Sequence, residues 1–221
     1  VTAMWKQYTV DMDFIGKGSY GKVYKAYDPK GNKLAIKQIS DIKVAKREAK
    51  IMKKYKKYKF LIRYYDFFII DDMAYLVTEF ADGKVIGDNF HNSYIKPVDE
   101  KKSVEIAINI LKGAKRLHKV GYIHNDIKPK NVMIKNFSPK TVKIIDFNIA
   151  KKIVGIETMH KELQDVCRMC AFLIHGNLPN ISQAEFNNKK LKSVLLNPFE
   201  ESKNNRYKSA DELIHELKQF C

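Results

Sequence analysis

The chain has 221 residues, with 41 lysines and arginines against 25 aspartates and glutamates, a formal net charge of +16 and 45% hydrophobic residues. That balance fits one folded globular domain and excludes collagen-like, disordered and disulfide-knot classes. No apolar run reaches the ~18 residues of a membrane span, no signal-peptide pattern opens the chain, and only three cysteines (Cys167, Cys170, Cys221) are present, so an intracellular, reducing compartment is expected.

Residues 8–39 alternate apolar and polar side chains with glycine and Asp28-Pro29 punctuation, which predicts short antiparallel strands. Residues 43–57 carry Val44, Ala45, Ala49, Ile51 and Met52 among charges and predict an amphipathic helix. From Phe60 to Phe80, β-branched and aromatic runs broken at Asp71-Asp72 predict a hairpin. Val104, Ile108, Leu111 and Leu117 have helical spacing within 98–119. Two strand-like runs follow at 131–134 and 141–145, then helices over 158–175 and 209–220 around a variable stretch. A small β-rich lobe (about residues 1–80) should therefore precede a larger helical one (about 84–221), joined at 79–83: an α+β class in a single two-lobed domain.

The positive charge is uneven. Of the basic residues 36 are lysine and five are arginine, and residues 43–63 hold ten basic residues against one acid, Glu48. Two readings stand: a docking surface for nucleic acid, anionic lipid or an acidic partner, or a solvated lysine face. Scarce arginine disfavours a nucleic-acid module that reads bases through bidentate contacts.

Four short runs carry chemistry. Ile15-Gly16-Lys17-Gly18-Ser19-Tyr20-Gly21-Lys22-Val23 is a G-x-G-x-x-G-x-V run. Its glycines let backbone N–H groups approach phosphates, and a strand rather than a helix follows it, which disfavours a dinucleotide fold. Lys37, in Leu34-Ala35-Ile36-Lys37, sits between apolar neighbours on a strand and needs an anionic partner. The third run is His124-Asn125-Asp126-Ile127-Lys128-Pro129-Lys130-Asn131; the fourth is Ile144-Ile145-Asp146-Phe147-Asn148. A base, a phosphate-directed lysine, and amide and carboxylate metal ligands are the requirements of phosphoryl transfer.

In this order and spacing the runs resemble the eukaryotic-type protein kinase family, of the serine/threonine type, along nearly the whole chain. The resemblance implies ATP and magnesium (or manganese) as cofactors and a protein Ser/Thr hydroxyl as acceptor. It makes Ile15, Gly16, Gly18, Ser19 and Gly21 the phosphate-covering loop, Lys37 the phosphate-orienting lysine and Glu48 its helix partner. Asp126 becomes the base, Lys128 a stabiliser of the transferring group, and Asn131 and Asp146 the metal ligands. Leu76-Val77-Thr78-Glu79-Phe80-Ala81 resembles the hinge, with Thr78 as gatekeeper, Glu79, Phe80 and Ala81 facing adenine, and Val23, Ala35 and Met133 enclosing the purine.

The pattern departs from the family in three places. Asn125 replaces the arginine before the catalytic aspartate, so dependence on a phosphorylated activation loop is not expected. Asn148 replaces the glycine after Asp146-Phe147, tolerable because Asn accepts left-handed backbone. Asp165, only nineteen residues after Asp146, resembles the helix aspartate that buttresses the catalytic loop, leaving a truncated activation segment without an Ala-Pro-Glu-like end. Glu162 would be a substitute partner for Arg206, and Cys167 and Cys170 are read as core residues rather than metal ligands. The expectation is a minimal, constitutively competent kinase, similar to those carried by viruses or injected by bacteria into host cells. A pseudokinase or decoy, or a small-molecule phosphotransferase, are the alternatives. The lysine cluster is then better suited to an acidic docking partner than to nucleic acid.

Overall fold

The computed structural model describes residues 1–18 and 21–221. The chain divides into two compact units, the first comprising Val1–Tyr58 and Ile62–Ala81, the second Lys59–Leu61 and Asp82–Cys221.

The first unit is built on an antiparallel sheet. In chain order its elements are β1 (Thr2–Trp5), β2 (Tyr8–Asp11), β3 (Gly16–Gly18), β4 (Gly21–Tyr27), β5 (Lys33–Ile39), the helix α1 (Ile42–Tyr55), β6 (Tyr64–Ile70) and β7 (Met73–Glu79). The strand order is β1-β2-β4-β5-β7-β6, with β3 paired to β4. β1 precedes the stretch predicted from alternation; its four residues are too few to show a period. The β6–β7 turn falls on Asp71 and Asp72, whose φ values of 49° and 61° are those of a tight hairpin turn matching strand twist. Alternation sends Tyr24, Ala26, Leu34, Ile36, Tyr75 and Val77 to one face, where they form a buried core with Tyr8 and Val10. α1 starts where the Asp41 carboxylate caps the Val44 N–H, and it buries Ala45, Glu48, Ala49, Ile51, Met52 and Tyr55. The Tyr55 hydroxyl donates to the Ile62 carbonyl and fixes the helix end.

The second unit contains β8 (Lys84–Val85), α2 (Glu100–Lys119), β9 (Tyr122–Ile123), β10 (Val132–Ile134), β11 (Lys143–Ile144), β12 (Lys151–Lys152), α3 (Gly155–His175), α4 (Lys189–Leu196) and α5 (Ala210–Lys218). α2 buries Val104, Ile108, Leu111 and Leu117, the set chosen by helical spacing, and packs against α3 and α5. Asn131 ends a 3-10 turn (Pro129–Asn131) rather than opening a strand, and α3 begins three residues earlier than predicted. The short pair β9–β12 was not foreseen, because two-residue strands carry no periodicity. Among the described residues, no helix is long and apolar enough to cross a membrane.

Candidate active site

Two constellations hold the residues singled out by sequence. In the first unit, the Lys37 ammonium lies 3.0 and 3.2 Å from the two Glu48 carboxylate oxygens, with Glu48 only 2% exposed. Both strands beside Lys37 place partners on its face: Val23 is opposite Lys37, and Thr78 is opposite Ala35. Val23, Ala35, Lys37 and Thr78 thus line the sheet face opposite the aromatic core.

The glycines of the first motif are not equivalent. A Cβ on Gly21 would lie 1.7 Å from the Gln38 carbonyl oxygen, so glycine is required for β4 to approach β5. A Cβ on Gly18 would meet nothing within 4 Å, and one on Gly16 only Val23 at 3.9 Å. Nothing in the described protein demands glycine at 16 or 18, which leaves a cradle that side chains would fill. Ile15 donates its N–H to the Val23 carbonyl (2.8 Å) and leaves its side chain exposed. Ser19, also assigned to this loop, lies outside the described residues.

At the end of β7 the hinge residues separate. The Thr78 hydroxyl donates to the Glu79 carbonyl (3.0 Å), while the Glu79 carboxylate accepts the Arg63 N–H (2.9 Å) and ties β7 to β6. The Lys33 ammonium stands 4.0 Å from the Phe80 ring centroid, and Ala81 is buried.

In the second unit, Asp126 is held from several sides. Asn131 Nδ2 donates to the Asp126 carbonyl (2.8 Å) and carboxylate (2.9 Å), and the Lys128 ammonium lies 3.4 Å from the other carboxylate oxygen. The Asp126 N–H donates to His124 Nδ1 (3.1 Å), which makes Nε2 the protonated ring nitrogen that donates to the Ile145 carbonyl at 2.8 Å. That bond links the loop to the residue before Asp146. The His124 ring packs edge-on against buried Phe147, with centroids 5.1 Å apart. Met133 sits on β10 between Val85 and Lys143, partly buried.

The buttress is Glu162, not Asp165. Fully buried on α3, Glu162 accepts the backbone N–H of His124 (2.8 Å) and of Asn125 (3.0 Å), and its Oε1 lies 3.2 Å from His118 Nε2. Burial pushes this carboxyl up, but the His118 contact and the fields and amide bonds at His124 outweigh it, so it is held below its ordinary value. Asp165, one turn on, is clamped instead by Lys161 (2.6 Å) and Arg168 (2.8 Å), and burial raises its carboxyl above the usual range. Arg206 does not pair with Glu162; its Nε donates to the Glu200 carbonyl (2.7 Å).

Sequence spacing could not choose between the two carboxylates, since both fall on the buried side of α3. Lys161 was also missed. Its ammonium lies 3.0 Å from the Asn125 carbonyl, which joins α3 to the loop a third time.

Asn125 is the pivot of this arrangement. Its φ of 71° is left-handed, its N–H and carbonyl are held by Glu162 and Lys161, and its Nδ2 donates to the Ile149 carbonyl at 3.1 Å. Asp146 is also left-handed, at φ 59°, whereas Asn148 is not, so the replacement of glycine there carries no backbone strain. Only residues 147–154 separate Asp146 from α3, and they are anchored at Ile149, through β12 on β9, and by the Ile153 N–H to the Gly121 carbonyl (2.9 Å). Cys167 and Cys170 are fully buried, and burial pushes both thiols up. No cluster of three His, Cys, Asp or Glu side chains able to hold a metal occurs among the described residues.

The protein kinase domain family matches residues 9–173, three quarters of the chain. The chain belongs to the protein kinase family. It is 34% identical over 153 residues to the probable serine/threonine-protein kinase zyg-1 of Caenorhabditis elegans, covering 65% of this chain and 21% of that protein. It is 31% identical over 151 residues to the serine/threonine-protein kinase cst-1 of Caenorhabditis briggsae (66% and 29%). Over a longer stretch it is 27% identical to the serine/threonine-protein kinase RAD53 of Saccharomyces cerevisiae, across 208 residues (88% and 24%). This kinase chain therefore spans less than a third of the length of each of these relatives. The β-rich and helical units are the two lobes of that family's α+β fold, and membership is of the eukaryotic serine/threonine type.

Proposed function

We propose that the chain transfers the γ-phosphoryl group of ATP, with magnesium, to serine or threonine hydroxyls of proteins, and does so without phosphorylation of an activation loop. The observation that carries this reading is the anchored Asp126: its carboxylate is oriented by Asn131 and Lys128, and its backbone by Glu162 through the two preceding amides. A carboxylate held this way is suited to accept the hydroxyl proton of an acceptor.

The residues present fit the cofactors. Asn131 uses Nδ2 within the loop, which leaves its Oδ1 as an oxygen donor; with the Asp146 carboxylate it would supply two hard oxygen ligands of the kind that suit magnesium. Bound magnesium would neutralise phosphate charge. Lys37, fixed by Glu48, would hold phosphate oxygens, with the open cradle at Gly16 and Gly18 over them. On the first unit, Val23, Ala35 and Thr78, with the backbone of Glu79 to Ala81, would offer a surface to adenine. Competence without a phosphate switch is supported by Asn125, an uncharged residue that already ties the segment after Asp146 to the loop.

One observation favours a second reading. The eight residues 147–154 leave little chain to read a peptide, as in small-molecule phosphotransferases. Radiolabelled ATP and magnesium, offered with casein and separately with free aminoglycosides and choline, distinguish the two. Label on protein serine or threonine, insensitive to phosphatase pretreatment of the enzyme and lost in Asp146→Ala, is expected; label on the free alcohols alone refutes the protein reading.

A further inference from the structure

The short segment 147–154 leaves little chain to shape a peptide shelf, but it holds Lys151 and Lys152 and no carboxylate. Both lysine side chains are exposed. Their backbone is fixed: Lys151 pairs with Ile123 and Lys152 with Tyr122, and Ile123 lies three residues before Asp126. Two residues before Lys151, the Ile149 carbonyl accepts from the Asn125 side chain at 3.1 Å, and Asn125 is the neighbour of Asp126. The lysine pair is thus pinned beside the loop that carries Asp126, and the chain from Ile123 to Asp126 spans at most about 11 Å.

The carboxylates around this loop are already engaged. Asp126 lies 3.4 Å from the Lys128 ammonium, and Glu162 is buried beneath the two loop amides. Asp165 is clamped by Lys161 and Arg168. The first carboxylate after Asp146 in sequence is Glu157, 3.7 Å from Lys203. A surface that selects basic residues beside an acceptor hydroxyl presents carboxylates to them; this segment presents two ammonium groups in solvent. Lysine is frequent throughout the chain, and the local balance over eight residues gives this pair its sign.

We propose that Lys151 and Lys152 select acceptor serines and threonines flanked by aspartate or glutamate, a selectivity that rests on the protein-kinase function proposed above. In an extended peptide, residues one to three positions from the acceptor lie about 3–10 Å from it, the same scale as the separation between Asp126 and the strand that carries the lysines. With the acceptor hydroxyl at Asp126, a flanking carboxylate comes beside an ammonium, and a flanking lysine or arginine meets like charge. Charge at two fixed positions does the work for which the segment has no room to build a shaped pocket.

Radiolabelled ATP and magnesium test this on the full chain, with three peptides that differ only beside one central serine, carrying glutamate, glutamine or lysine there. The unaltered protein should label the glutamate peptide with kcat/KM about tenfold or more above the glutamine peptide, the difference lying in KM, and the lysine peptide least. Lys151→Gln/Lys152→Gln should bring the glutamate and glutamine peptides to within about twofold, and Lys151→Glu/Lys152→Glu should reverse the order in favour of lysine. Lys189→Glu/Lys190→Glu on the exposed start of α4, an identical change of net charge, should keep the original order, with thermal midpoints showing all three variants folded. Equal labelling of the three peptides by the unaltered protein, or a glutamate preference that survives Lys151→Gln/Lys152→Gln, overturns this selectivity and leaves phosphoryl transfer to proteins standing. Absence of label on every peptide and on casein overturns the transfer itself, and the selectivity with it.

Discussion

Glu162 accepts the Asn125 backbone N–H at 3.0 Å from within α3, where no part of its side chain reaches solvent. Because the same carboxylate takes the His124 N–H, Glu162→Ala strands two buried donors, at about 1–3 kcal/mol each. Glu162→Gln keeps the shape with one acceptor oxygen, and should lower phosphoryl-transfer kcat more than it raises KM for ATP. The unaltered carboxyl is held below its ordinary 4.5, so its contribution to stability is complete above that value and is lost as pH falls through the lower folded-state value. Thermal midpoints across acid pH should show a steeper fall for the unaltered chain than for Glu162→Gln.

Replacing Lys37 or Glu48 should have unequal effects on structure. Lys37→Met leaves the buried Glu48 carboxylate without its 3.0 Å partner, so it should destabilise the chain as well as abolish transfer. Glu48→Gln keeps a neutral acceptor for the ammonium and should fold normally while losing about 10²–10³ in kcat. Denaturation midpoints and kinetics on the two variants separate the effects.

The glycines should split in the same way. Gly21→Ala drives a methyl to 1.7 Å from the Gln38 oxygen and must open the β4–β5 pairing, so a large drop in thermal midpoint is expected. Gly18→Ala enters open space. It should leave the midpoint unchanged and raise KM for ATP. A normal ATP dependence in Gly18→Ala argues against the cradle.

His160 gives a separate pH signature. It is buried on α3, and neither ring nitrogen has a hydrogen-bond partner among the described residues. Burial, with Arg206 nearby, holds its imidazole below the ordinary 6.5, partly opposed by Glu157. The unfolded chain therefore takes up this proton first, and stability falls as pH drops through 6.5. His160→Phe should flatten that part of the stability profile and stabilise the chain at neutral pH by about 1 kcal/mol or more. Urea titrations at several pH values provide the check.

Local features were legible where the chain's own period determines the outcome. The β6–β7 hairpin and the buried positions of α2 follow from alternation and helical spacing, while the pairing of Lys37 with Glu48 was implied by the family resemblance. The buttress was not legible. Glu162 and Asp165 lie three residues apart on the buried side of one helix, and only the docking of α3 beneath the loop decides which carboxylate reaches the amides. The left-handed backbone was not legible either. Asn148 looked suited to it from the glycine it replaces, but Asp146 and Asn125 adopt it instead, Asn125 held there by its bonds to Glu162, Lys161 and Ile149.

The brevity of 147–154 changes when order is acquired. In a long segment that becomes structured only after modification, backbone freedom of about 1–2 kcal/mol per residue is surrendered at that later moment, which is what makes such a segment switchable. Here Ile149, Lys151, Lys152 and Ile153 are tied to the loop that carries Asp126 and to the β9 region in the folded chain, so the loss occurs once, with folding. A local opening near Asp146 would have to break β9–β12 and the Asn125 amide bond together. Hydrogen exchange along 147–154 should consequently track that of β9.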